Sequence, residues 1–453
     1  MMKDKTYAIR DPVHDYIILN PAELELVDSP FIQRLRWISQ LSGVRLVFPG
    51  AQHSRIAHVL GVMHLAGEYT KQVYNNHDDV EHKTQLARLS GLLHDVGHGA
   101  FSHAYDDTVY KDLYPDSPHG HDVHRMKMIE SEYLKPYIEA CGVTTKELRD
   151  LWKGNDQVLQ AIVQGALGAD RMDFLLRDAY YSGTSHFGTI ASSRLIDNSL
   201  VADHDGKPAL HYKLKVLEDI FQSLLGRFFM YRGVYFHKAS AAADILIRKI
   251  LEASKGPLNL AARTDNLEEY QWLNEYTLLG EIQSSTDPAL DEAKTYVKRL
   301  MSRDLPKLVW ETTISDATLQ SISPELDKST QAIAQGRFID HLKQKAKEEK
   351  RKMPTLYVNH TYPMSTIDSK EFEIGNIYLY DDKNVLGLNS KSVTLQEAMD
   401  NTAYFSSFLS QVNTKRERYV MIRVFANKPD VKWIKKVSPG QMKKEATIEE
   451  TSY

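Results

Sequence analysis

Histidine is distributed unevenly along this chain, and that unevenness constrains the fold more than any other feature. Eleven of the 18 histidines lie between His53 and His124. The densest block, GLLHDVGHGAFSHAYDD, sets His94 beside Asp95 and follows them with His98, His103 and Asp106. It continues TQLARLSGLLHDV, where Leu86, Leu89, Leu92, Leu93 and Val96 recur at helical spacing and Gly97 supplies a stop. An apolar helix thus delivers an acid and several imidazoles into one short segment. Burying that many titratable groups without partners is costly. A metal ion or a bound polyphosphate compensates them, since imidazole is both a common transition-metal ligand and the usual proton shuttle near neutral pH.

Further donors lie elsewhere. SRIAHVLGVMHLAG places His58 on an apolar helix, with His64 six residues on in a packing or supporting role. QGALGADRMDFLLRDAYYSG carries Asp170, Asp173 and Asp178. Asp170, Phe174 and Asp178 share one helical face and so flank a site, whereas Asp173 and Arg177 read as an i, i+4 pair that supports the helix. Nitrogen and carboxylate donors from His58, His94, Asp95 and Asp170 suit Mn, Mg, Fe, Zn or Ni, with no thiolate to narrow the choice. Such an ion polarises a phosphoryl oxygen and lowers the pKa of a bound water. His103, with Asp106 three residues later, has the relation of an imidazole oriented by a carboxylate, which suits a general acid for a leaving alkoxide. His121 and His124, in HGHDVHRMK, add positive donors for a phosphate.

The remainder of the sequence bounds the architecture. A chain of 453 residues has room for two to four domains. After a short strand or hairpin in RDPVHDYIILNP the first 255 or so residues read mainly as helices, including one long periodic stretch, LEDIFQSLLGRFFMYRGVYFHKASAAADILIRKIL, too long to be a strand. Gly256-Pro257 is a natural break. Beyond it EIGNIYLYDDKNVLGLNS reads as a hairpin, RERYVMIRVFAN as a strand, and ETTISDATLQSIS and MPTLYVNHTYPM as mixed polar helix and short strand. The expected fold is mainly α: a helical catalytic core over residues 1–255, a smaller α+β region over 256–440, and a disordered tail over 441–453.

Several function classes fall away. With 56 Lys plus Arg against 60 Asp plus Glu, the net charge of −4 exerts no global pull on nucleic acid or an anionic membrane. The single cysteine, Cys141, excludes an intrachain disulfide and a cysteine-based zinc or iron–sulfur site. No apolar run approaches the roughly 18 residues of a spanning helix, and MMKDKTYAIRDPVHD offers no signal-like stretch, so a cytoplasmic location is expected. There is neither a Gly-x4-Gly-Lys-Ser/Thr loop nor a Gly-x-Ser-x-Gly elbow. HLKQKAKEEKRK, from His341, reads as a solvated helical face, with an anion or nucleic-acid contact as the alternative.

Three segments taken together, FIQRLRWISQLSGVRLVFPGAQHSRIAHVLGV, LLHDVGHGAFSHAYD and GADRMDFLLRDAYYSG, resemble the SAM- and HD-domain deoxynucleoside triphosphate triphosphohydrolases of the HD superfamily. The resemblance covers roughly residues 7 to 255 and leaves out a SAM domain. It implies hydrolysis of a dNTP to deoxynucleoside and inorganic triphosphate, by water attack at the α-phosphorus. It also implies metal ligands His58, His94, Asp95 and Asp170, proton delivery to the 5′ oxygen by His103 with Asp106 behind it, and contacts from His98 and His121 to the α-phosphate region. Arg55, Arg171 and Arg227 stand at phosphate-binding positions, Gln40 and Asp178 at those holding the 3′-hydroxyl, Leu41 against C2′, and Tyr235 near base or sugar.

Departures from the family pattern, Phe174 for a tyrosine, Tyr231 for a histidine and Arg171 for a lysine, bear on substrate preference. Relatives assemble as tetramers activated by nucleotides between subunits. Asp28, Gln33 and Arg36 match the guanine-reading positions, while Tyr7 replaces a phosphate-binding lysine, with Lys5 nearby, and Arg10 replaces an asparagine. Arg34 and Arg36 alternatively pack and pair within the helix. The expected partners are a dNTP substrate, a nucleotide activator (dGTP or GTP) and further copies of the chain as dimer or tetramer, with no membrane and with nucleic acid left open. An HD phosphohydrolase or phosphodiesterase acting on another nucleotide, or a non-catalytic nucleotide- or nucleic-acid-binding HD protein, are the alternatives. A pure sensor has no need of an acid beside the metal ligands.

Overall fold

A computed structural model describes residues 5–315, 327–361, 376–403, 405 and 419–438. Of the short strand or hairpin expected at the start, the chain forms the hairpin, β1 (Tyr7–Asp11) and β2 (Asp15–Leu19), paired antiparallel. One Asp11 carboxylate oxygen accepts the Val13 and His14 amides at 2.9 and 3.0 Å, closing the turn. Arg177 donates to the other oxygen at 2.7 Å, which docks the hairpin on a helix 166 residues later.

The main helices are α1 (Arg55–Val73), α2 (Val80–Leu93), α3 (Gly120–Ile129), α4 (Ala169–Ser182), α5 (Leu217–Met230), α6 (Lys238–Ser254), α7 (Glu275–Ser284) and α8 (Asp291–Met301). α1 is buried around most of its circumference, as its nearly unbroken apolar sequence requires. Two glycines set how closely its neighbours approach. A Cβ on Gly91 of α2 would stand 3.0 Å from the Met63 amide nitrogen, and one on Gly61 would fall 1.9 Å from Asp173 Oδ1 on α4. The second contact lets an α4 carboxylate reach the α1 backbone. The long periodic stretch is helical, as expected, and forms two helices, α5 and α6, separated by a wide π-type turn over Tyr231–Tyr235. Such turns re-aim side chains, and this one turns Tyr231 and Tyr235 toward the central cavity.

One apolar cluster joins Ile17 and Leu19 of the hairpin to α1 and α2 and continues through Leu260, Tyr270, Leu278, Val297 and Leu300. The Gly256-Pro257 pair therefore lies between α6 and helices that fill the same core. A second cluster lies between α1, α5, β3 (Ser199–His204) and β4 (Lys207–Lys213), with Leu379 and Val393 from later strands.

Two sheets complete the fold. In the first, β7 (Tyr378–Tyr380) runs parallel to β4 and antiparallel to β8 (Ser392–Thr394). The expected second hairpin is thus formed with a different return strand. The apolar run Val385–Leu388 lies in the connection, where Asp381 accepts the Val385 and Leu386 amides, both at 2.9 Å. In the second sheet, β9 (Tyr419–Ala426), the strand expected in RERYVMIRVFAN, pairs with β5 (Lys307–Ser315) and β6 (Leu356–Thr361). Phe338 and Leu342 of α9 (Asp327–Glu348) and Trp433 and Ile434 of α10 (Lys428–Val437) cover it. In the run from His341, Lys343 and Lys345 pair with Asp340 and Glu348 on the exposed face of α9. The expected tail 441–453, and the end of ETTISDATLQSIS, lie outside the described residues. Among the described residues no helix is long and apolar enough to cross a membrane.

Candidate active site

Three helices meet around four donors. α1 supplies His58, the C-terminal end of α2 supplies His94 and Asp95, and α4 supplies Asp170. His58 Nε2 stands 3.2 Å from Asp170 Oδ1 and 3.8 Å from Asp95 Oδ2. His94 Nε2 stands 3.3 Å from Asp95 Oδ1 and 3.6 Å from Asp170 Oδ1. Each imidazole is held from behind. His58 Nδ1 is 2.8 Å from Asp173 Oδ2, and His94 Nδ1 is 2.7 Å from the Gly91 carbonyl. Both Nε2 atoms therefore face the shared centre, the arrangement that fixes tautomer and orientation in metal-binding histidines.

Asp173, read from sequence as helix support, is the hub of this outer layer. It accepts two bonds from Arg177, at 2.9 and 2.8 Å, and lies 2.7 Å from His14 Nε2. Asp173 and Arg177 are fully buried. Sequence reasoning missed this role and that of His14. The available signal was an acid one turn beyond Asp170, already paired by a cation four residues on.

The donor set fits a divalent cation. Burial alone would lower the His58 pKa, yet its hydrogen bonds to Asp170 and Asp173 and the charges of Asp173 and Asp95 push it up to about 10. The carboxylates thus demand positive charge at this spot, which a cation supplies while leaving the imidazole neutral. Burial would raise the Asp95 carboxyl, but Arg55, bonded to it directly, then His94 and His98, hold it well below the usual carboxylate range.

A second cluster lies beside the first: His98, His103, Asp106 and His121. Its single carboxylate is already engaged. Asp106 Oδ1 accepts the His121 amide at 2.9 Å, and Oδ2 lies 2.8 Å from His121 Nδ1 and 3.3 Å from His103 Nδ1. His121 is the closer partner of Asp106 and stacks on His98, ring centroids 3.9 Å apart, while the His103 side chain is 72% exposed. Against burial, the hydrogen bonds from His103 and His121 keep the Asp106 carboxyl far below its ordinary value. Burial, then Arg55 and His121, lower the His98 pKa, so its ring is neutral. Three imidazoles around one carboxylate make this cluster poorer in carboxylates than the set His58, His94, Asp95 and Asp170.

Both clusters open on one cavity of about 690 Å³. Gln40, Leu41, Arg55, Arg171, Phe174, Asp178, Tyr231 and Tyr235 all lie on its wall. Asp178 is fixed on both sides, by the Tyr235 hydroxyl donating at 2.6 Å and by His53 Nε2 at 2.8 Å. Arg227 instead borders a small neighbouring recess that it shares with Arg171.

His124 corrects an expectation. It is fully buried, packs against the Tyr270 ring with centroids 4.4 Å apart, and has its Nδ1 3.0 Å from the Tyr114 hydroxyl. Burial, with Arg34 and Lys127, lowers its pKa to about 3. A neutral core imidazole donates no positive charge to a phosphate. His64 packs beside His14, ring centroids 5.3 Å apart, behind the outer layer.

Asp28 and Arg36 are exposed at the surface. The Gln33 amide donates to the Val27 carbonyl at 2.9 Å and accepts from Arg36 at 3.2 Å. Arg34 is buried over the Tyr270 ring, with bonds to the Leu273 and His98 carbonyls. Tyr7 lies under the Lys5 ammonium, and Arg10 over the Tyr16 ring.

The HD domain matches residues 55–178, a span that begins at Arg55, ends at Asp178 and contains both clusters. Human deoxynucleoside triphosphate triphosphohydrolase SAMHD1 is 29% identical over 351 residues, covering 68% of this chain and 56% of that protein. MJ1154 of Methanocaldococcus jannaschii is 34% identical over 241 residues (53% of this chain, 48% of that one), and YwfO of Bacillus subtilis 32% over 261 residues (54% and 55%). The chain spans about half the length of these relatives. The chain is mainly α, matches the HD domain over residues 55–178, and is similar along about two thirds of its length to the SAMHD1 triphosphohydrolases.

Proposed function

We propose that the protein hydrolyses deoxynucleoside triphosphates to deoxynucleoside and inorganic triphosphate, in keeping with its similarity to the deoxynucleoside triphosphate triphosphohydrolases SAMHD1. The observation that carries this reading is the shared cavity: a donor set that fits a cation lines the same space as the imidazoles His98, His103 and His121, beside Arg55 and Arg171. When bound by His58, His94, Asp95 and Asp170, a divalent cation supplies charge on the phosphoryl oxygens and acidifies water. The chain's own groups do the rest. Arg55, bonded through Nε to Ser102 Oγ at 2.8 Å and through Nη1 to Asp95, holds the phosphate beside the HD pair. His98 and His121, stacked and buried, form a fixed face for the α-phosphate. His103, exposed at the mouth and lightly held by Asp106, delivers a proton to the departing 5′ oxygen. Gln40 and Asp178 hold the 3′-hydroxyl and Leu41 closes on C2′, with Tyr235 keeping Asp178 in place.

Activation by a guanine nucleotide at Asp28, Gln33 and Arg36, between subunits of a dimer or tetramer, belongs to the same proposal. It is supported by the exposure of Asp28 and Arg36 and requires Gln33 to release Val27 or Arg36. The test is incubation with each dNTP and rNTP and Mn or Mg, with and without GTP, products being separated by ion exchange. Inorganic triphosphate from dNTPs is expected. Pyrophosphate with monophosphate, or orthophosphate, would point to another HD phosphohydrolase.

A further inference from the structure

Two adjoining turns form part of the cavity wall. Ser39–Arg45 carries Gln40 and Leu41, and Phe101–Ser102 leads into His103. Phe101 and Ser102 have φ of +64° and +56°, a left-handed conformation that residues with side chains adopt only when their surroundings enforce it. The turns are bonded to each other: Ser42 Oγ donates to the Phe101 carbonyl at 3.0 Å, and Ser102 Oγ to the Ser39 carbonyl at 2.9 Å.

A single buried carboxylate from outside the matched HD span bridges both. Glu275, the first residue of α7, is 1% exposed. Its Oε1 accepts the Ser39 amide at 2.9 Å, the Ser39 hydroxyl at 2.6 Å and the Phe101 amide at 3.3 Å, while Oε2 accepts from Arg45 at 2.7 Å. Glu275 is not needed to cap its own helix, because the Asn274 side chain accepts the Tyr276 and Thr277 amides. The far side of the first turn has its own anchor, Asp244 of α6, which accepts the Gly43 amide at 3.0 Å where a Cβ would stand 2.3 Å from Asp244 Oδ1.

We propose that Glu275 is a positioning residue that couples the sugar-facing turn to the His103 turn, so that one carboxylate sets both sugar discrimination and proton delivery. The functional half of this inference rests on the reaction proposed above; the mechanical half does not. Losing the carboxylate frees the Ser39 and Phe101 amides together, and the left-handed turn loses a bond that enforces it. A misplacement of about an ångström at either wall costs on the order of 10²-fold in rate.

Glu275→Ala and Glu275→Gln, loaded with Mn, are to be compared with the wild type by hydrogen exchange and then by steady-state kinetics. In Glu275→Ala, residues 39–45 and 99–104 are expected to lose protection together while α1 and α4 keep theirs, with metal content unchanged. The dNTP kcat is expected to fall about 10–100-fold, with a smaller change in KM and a narrowed dNTP-over-rNTP preference. Glu275→Gln, which keeps an acceptor for Ser39 and Phe101, recovers most of both. Should Glu275→Ala fail to fold, Ser39→Ala, which removes only the 2.6 Å bond, is read in its place. Retained protection at either turn, or loosening of both with unchanged kcat and sugar preference, overturns the proposal. Exchange needs no turnover, so a wild type inactive on dNTPs refutes the reaction while the coupling is still judged.

Discussion

At the metal end of the cavity His58 and His94 are each gripped at Nδ1 by a buried acceptor, Asp173 or the Gly91 carbonyl, and show Nε2 to a common centre. At the acid end His103 and His121 both lean on Asp106, one exposed and one buried, and His98 is stacked in as a neutral ring. The first arrangement is largely buried and carboxylate-rich, the second imidazole-rich with the His103 side chain exposed. On the proposed reaction, the difference lets one histidine-dense segment serve two chemistries. Carboxylates converging on imidazoles attract a cation, whereas imidazoles converging on one carboxylate can hold an anion and move a proton.

The largest effect expected from breaking this contrast is at the metal end. Asp95→Ala or His94→Ala removes a donor from the first cluster and is expected to abolish both metal retention and turnover, read as metal per chain after desalting and as product release. At the acid end, His103→Ala is expected to keep the metal and lose about 10²–10⁴-fold in kcat, the usual span for a proton donor. Loss of metal in that variant would erase the distinction between the ends. Weakening the outer layer is a milder cut: Asp173→Asn, which keeps shape but not charge, is expected to lower metal affinity about 10–100-fold in a chelator competition.

How far these ends were legible in the sequence differed for a physical reason. His94, Asp95, His98, His103 and Asp106 are close in the chain, and their helix-then-turn spacing already placed them in one segment. Asp170, Phe174 and Asp178 were placed by helical periodicity, and all three line the cavity. Asp173 and Glu275 were not, because each acts through partners far off in sequence: His58 lies 115 residues from Asp173, and Ser39 lies 236 residues from Glu275. His124 misled because a histidine three residues from His121 on one helix was read by its type and not by its burial. The turn at Tyr231–Tyr235 is not marked in the sequence either, since the helical apolar pattern continues on both sides of it while the backbone widens there.

Smaller effects sharpen the comparison further. Leu41→Gly is expected to raise rNTP relative to dNTP turnover several-fold with metal binding unaffected; an unchanged ratio would show that Leu41 is no gate. His124 predicts a pH effect on stability alone. Its folded pKa of about 3 lies below the ordinary 6.5, so between those values the unfolded chain binds the extra proton. Stability from this residue is complete above pH 6.5 and falls as pH drops, by up to about 1.4 kcal/mol per pH unit. Denaturant titrations of wild type and His124→Gln between pH 4 and 7 are expected to show a shallower slope in the variant.

The central claim, that the cation belongs to the carboxylate-rich end alone, is tested most directly by anomalous diffraction from crystals grown with Mn. One peak per chain is predicted, within bonding distance of His58 Nε2, His94 Nε2, Asp95 and Asp170. A peak seated instead among His98, His103, Asp106 and His121 would contradict the account.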